Sequence, residues 1–71
     1  MTTKPATITA TMDGDAAYQL AQFCKRVNFS TFYELTEAHL SRDERTRRAY
    51  LMVDGLTAIM TGLNEAGHSP R

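Results

Sequence analysis

A chain of 71 residues makes one domain at most, and at that size the core is thin unless packing is good or subunits associate. Eight Lys and Arg balance eight Asp and Glu; zero formal charge argues against strong non-specific nucleic-acid binding and leaves little repulsion to keep copies apart. The single cysteine, Cys24, excludes an internal disulfide, no zinc pattern exists, and no stretch approaches the ~20 apolar residues of a membrane span.

Residues 1–12, MTTKPATITATM, lack the apolar run of a signal peptide, so the expectation is a soluble protein of a reducing cytoplasm. Residues 1–5 are polar, end in Pro5 and are expected to be disordered. Residues 6–67 are expected to form a single small helical domain, and 68–71 an extended tail.

In Ala6–Met12, Ile8, Ala10 and Met12 alternate with Thr7, Thr9 and Thr11, which predicts a short strand. A lone strand needs a mate, and nothing later in the chain reads as one. It pairs with a copy of itself, pairs with a partner, or is an extended arm.

Asp13-Gly14-Asp15 is turn chemistry and a helix start, with Asp13 as the cap. Ala17, Leu20, Ala21, Phe23, Cys24 and Val27 then recur at helical spacing, with Tyr18, Gln19, Gln22, Lys25 and Arg26 on the other sides. The spacing predicts a first helix over about 14–27. Cys24 lies on its apolar stripe and reads as a buried free thiol, because no neighbouring motif supplies a base.

Asn28-Phe29 breaks that pattern. Ser30 or Thr31 caps a second helix, Thr31 and Glu34 forming a capping box, and the helix is predicted over about 31–40. Phe32, Leu35, Ala38 or His39, and Leu40 would face inward. Phe29, Phe32 and Tyr33 carry most of the aromatic mass, as core or as an exposed patch.

The longest element is predicted over 42–66. Ser41 caps it, with Glu44 three residues on, and Gly67 and Pro70 stop it. Ala49, Met52, Val53, Leu56, Ile59, Met60 and Leu63 fall within an arc of roughly 120°, the width of a buried helix face. His68 stands where it could pack back on Leu63. Gly55 and Gly62, with Leu51 and Ala58, form a second stripe of mostly small residues; it is either tolerated surface glycine or a close contact with another helix. Arg42, Arg45, Arg47 and Arg48 crowd the first turns, where the helix dipole disfavours cations. Asp43–Arg47 and Glu44–Arg48 are favourable pairs at i,i+4, so the cluster is either a solvated ion-pair face or an acidic-partner site.

His39 and His68 have no ligand spacing with each other or with Cys24, Ser30, Ser41 and Ser69 have cap or tail explanations, and no glycine-rich phosphate loop follows a strand. The expectation is a non-enzymatic protein with no cofactor and no metal.

Residues 6–40, a short alternating strand, a helix, Asn-Phe-Ser-Thr and a second helix, resemble the ribbon-helix-helix regulators of bacteria and phages. That resemblance implies a dimer whose paired strands enter the major groove, with Thr7, Thr9 and Thr11 outward, Lys4 beside them, and Ser30 and Thr31 at a phosphate. Residues 14–71, through Leu20-Ala21-Gln22-Phe23, Lys25-Arg26-Val27, Ala49-Tyr50-Leu51-Met52 and the ending Glu65-Ala66-Gly67-His68-Ser69-Pro70-Arg71, resemble a family of short uncharacterised proteins of proteobacteria, phages and mobile elements. That resemblance implies a mobile-element context.

The expected fold is mainly α: a short N-terminal strand, then three helices around the apolar face of the longest. The expected function is stoichiometric binding of a protein target, in a phage setting a host defence complex such as a CRISPR effector, by a cytoplasmic, homo-oligomeric (dimeric) chain with Arg45, Arg47, Arg48, Tyr50, Leu51, Gly55, Ala58 and Gly62 as contacts. The alternative is a dimeric DNA-binding regulator using Lys4, Thr7, Thr9, Thr11, Ser30 and Thr31.

Overall fold

Three helices follow one another in the computed structural model, which describes residues 4–68: α1 (Gly14–Arg26), α2 (Phe29–Glu34) and α3 (Arg42–Glu65). The expectations for residues 1–3 and 69–71, including the stop at Pro70, lie outside the described residues. α1 and α2 each pack on α3. Both run antiparallel to it. Ala17 and Gly14 lie by its C-terminal end, near Leu63 and His68, and Tyr33 lies by its N-terminal end, at Arg45. The result is a helical hairpin with one arm broken at Val27-Asn28.

Local chemistry explains each limit. α1 opens on the bond from the Ala17 N–H to the Asp13 carbonyl, 2.9 Å. Asp13 holds the cap position, but its side chain makes no cap bond there. Lys25 and Arg26 fill the last turn, where the dipole favours cations. α3 starts as expected: the Glu44 N–H donates to Ser41 Oγ at 3.2 Å. It ends on a Schellman motif. Gly67 takes φ +88°, its N–H donates to the Asn64 carbonyl, and the His68 N–H donates to the Leu63 carbonyl at 2.8 Å.

Three expectations are corrected. The N-terminal strand is not formed: residues 4–13 carry no helix or strand assignment and are exposed. An alternating pattern favours extension, but a strand exists only through ladder bonds, and no second segment among the described residues supplies them. The second helix begins earlier and ends sooner than 31–40. Asn28, not Ser30 or Thr31, is its cap, accepting from the Thr31 N–H at 3.1 Å. That places Thr31 inside the first turn, and the helix closes after Glu34. Leu35 is consequently 73% exposed and not inward, and Ala38 and His39 are exposed in the turn that follows.

The third correction concerns the core. It is small: Ala17, Ala21, Cys24 and Leu63, with Leu20, Leu56 and Met60 half-buried against them. Ala49 is buried separately on α3. The buried seam of α3 is thus Ala49, Val53, Leu56, Met60 and Leu63, stepping by four and three. Met52 and Ile59, placed in the same arc by the sequence, are 37% and 38% exposed. Two short helices cover only part of a wide apolar arc. Phe23 is likewise exposed, while Gln22, assigned to a polar side of α1, is buried.

Candidate functional site

The arginine cluster resolves into two structures. Arg45 leaves the surface to serve α2. Its Nη2 donates to the Tyr33 carbonyl at 3.0 Å, its Nε donates to Thr36 Oγ1 at 2.8 Å, and its guanidinium lies 4.4 Å from the centre of the Tyr33 ring. Thr36, itself buried, donates from Oγ1 to the same Tyr33 carbonyl at 2.6 Å. A cation and a hydroxyl therefore satisfy the carbonyl end of a helix of six residues. The Arg45 guanidinium is thereby engaged with the end of α2.

Arg47 and Arg48 converge on Glu44. Arg47 Nε donates to Glu44 Oε2 at 3.0 Å and Arg48 Nε to Glu44 Oε1 at 2.9 Å, while Arg48 Nη1 reaches Glu37 Oε2 at 3.0 Å. The hydrogen bonds from Arg47 and then Arg48 lower the Glu44 carboxyl from 4.5 to about 2. The Glu37 carboxyl is also lowered, first by its own backbone N–H and then by Arg48. Of the two i,i+4 pairs expected here, Glu44–Arg48 is present, and Arg47 bonds Glu44 at i,i+3. Arg48 additionally ties the loop after α2 to α3.

Tyr50 packs tilted against Phe29, ring centres 4.9 Å apart, and Phe29 leans on Tyr33 at 6.2 Å. These rings staple α2 to α3 and remain partly open to solvent.

The other predicted contacts come together on an open face of α3. Leu51, Gly55, Ala58 and Gly62 are all exposed, and a Cβ added at Gly55 or Gly62 would meet nothing within 4 Å. Met52 and Ile59 join them. Met52, Gly55, Ile59, Gly62 and Ala66 step by three and four, the same rhythm as the buried seam, so α3 carries two apolar seams and its own chain covers one. Over the C-terminal half of this face the N-terminal arm forms a wall. Ile8 and Met12 stand across from Ala58, Ile59 and Gly62, with His68 at the end, around a groove of about 450 Å³.

A second cleft, about 310 Å³, lies beside Cys24, Val27 and Phe32. Its two threonine hydroxyls bond within their own helix: Thr57 Oγ1 donates to the Val53 carbonyl and Thr61 Oγ1 to the Thr57 carbonyl. Cys24 is buried, and burial pushes its thiol up, away from the reactive thiolate. Among the described residues no group of three or more His, Cys, Asp or Glu is placed to hold a metal ion, and no helix is long and apolar enough to cross a membrane.

The residues of the DNA-binding alternative are scattered. Lys4, Thr7, Thr9 and Thr11 are exposed but lie on no paired ribbon. Ser30 and Thr31 sit within α2, and the Thr31 hydroxyl donates to Asn28 Oδ1 at 3.3 Å.

The model of a family described as a family of unknown function (DUF7706) matches residues 1–71. No curated protein and no solved structure matches the chain.

Proposed function

We propose that this chain, which belongs to the DUF7706 family of unknown function, is a small non-enzymatic binding protein that presents the open face of α3 to another protein chain. One observation carries the reading: Leu51, Met52 and Ile59 stand exposed around Gly55, Ala58 and Gly62, on a face apolar enough to have been core. Large side chains interleaved with unfilled positions suit the close approach of a second helix. The chemistry required is modest: burial of apolar area against a helix, without a reactive group.

The proposal extends to context. The resemblance of Leu20-Ala21-Gln22-Phe23 and Ala49-Tyr50-Leu51-Met52 to short phage and mobile-element proteins supports a stoichiometric binder whose target is a host defence complex, a CRISPR effector being one example.

Ile59→Glu tests the face. Chains immobilised as wild type and as Ile59→Glu are compared for the proteins they retain, with free copies of the chain itself among the proteins offered. A partner held by wild type and lost by the variant is the expected result. The same retained set from both overturns the reading.

A further inference from the structure

We infer that the chain which covers this face is a second copy of the same protein, its α3 packed antiparallel on the first. The inference rests on the open-face reading above and names its occupant. Three observations carry it.

The first is register. A two-fold axis level with Thr57 places Met52 of each copy opposite Gly62 of the other, and Ile59 opposite Gly55, since each pair is centred on position 57. Met52 and Ile59 each meet a glycine beside which the structure has open space. A parallel pair does the reverse: Met52 meets Met52, Ile59 meets Ile59, and the glycines face each other across a gap. The groove beside Gly62 then receives Met52 and Leu51 of the second copy, with Ile8 and Met12 closing over them.

The second is charge. The same register brings Arg47 of one copy within about half a turn of Glu65 of the other, on one flank and at both ends of the contact. A parallel pair stacks Arg47 and Arg48 on their own copies.

The third is area. The chain exposes 5696 Å², whereas a compact monomer of 7.9 kDa exposes about 4,400 Å². A stable interface takes about 800 Å² from each partner. The surplus of about 1,300 Å² is enough for one interface of this kind.

The test is mass by light scattering over a concentration series, with circular dichroism as the check on folding. Wild type is expected at twice 7.9 kDa. Gly62→Leu places its Cβ in open space in the single chain but fills the socket for Met52, and dimerisation is expected to weaken about 10- to 100-fold. Met52→Ala added to Gly62→Leu exchanges knob and socket and is expected to restore association to within about threefold of wild type. A double variant no better than Gly62→Leu overturns the register. Wild type at the mass of one chain at about 1 mM overturns the second copy. In that case binding of the apolar-surface dye bis-ANS separates the two readings. Dye binding lost in Ile59→Glu keeps the open face and removes only the second copy; equal dye binding removes both.

Discussion

Arg45 shows how little of a side chain's role its position on a helix reveals. It sits in a run of arginines at a helix start, where a cation is ill placed for its own helix. Its guanidinium instead completes the end of α2, through Tyr33 and Thr36. Arg45→Ala is expected to cost about 2 kcal/mol in urea unfolding, from the bonds to Tyr33 and Thr36 and the loss of the ring contact. Arg47→Ala, on a solvated pair, is expected to cost under about 0.5 kcal/mol. Glu44 predicts a pH effect. Its carboxyl is held at about 2 against an ordinary 4.5, so the unfolded chain binds the proton first as pH falls. The Glu44 contribution is complete above pH 4.5 and is lost as pH falls toward 2. Thermal melts of Glu44→Gln are expected to be flatter than wild type across that window. Gln22 is 5% exposed, and its Nε2 has no hydrogen-bond partner among the described residues. Gln22→Met keeps the length and removes the unpaired amide, so a gain of about 1 kcal/mol is expected.

At the scale of elements, what was legible depended on whether the signal was local. The limits of α3 were legible because Ser41, Glu44 and Gly67 act within one turn. α1 was legible to within one residue because its apolar period is clean. α2 was misplaced because Asn28, Ser30 and Thr31 can each cap a helix here. Asn28 does so, and once it does, Thr31 is a first-turn residue. Asn28→Ala is accordingly expected to cost about 1 kcal/mol, and Thr31→Ala clearly less. The glycines of α3 make an opposite prediction. Gly55 lies in open space, so Gly55→Ala is expected to raise the stability of the dilute single chain by up to about 1 kcal/mol. The same change in a packed face is expected to cost association. Opposite signs in unfolding and in association would show that the glycine serves contact and not fold.

At the scale of the whole molecule, the chain is flat, 39 × 27 × 14 Å, with a radius of gyration of 13.8 Å against about 11 Å for a compact chain of this length. Three helices with few large buried side chains leave most of the apolar residues half covered. Under the proposed pairing of two copies, the melting temperature is expected to rise with wild-type concentration and to rise less for Gly62→Leu. The sequence by itself determined the helical class, both ends of α3, the buried place of Cys24 and the presence of a stripe of small residues. Each of these follows from neighbours within one or two turns, or from a period that any helix must obey. Only the tertiary structure decided which half of the α3 arc is core, that Arg45 closes α2 and that residues 6–12 stand as a wall and not a strand. Those outcomes depend on how far two short helices reach across a third. That reach is set by where the chain breaks at Asn28 and turns back before Ser41, and no periodicity along the sequence records it.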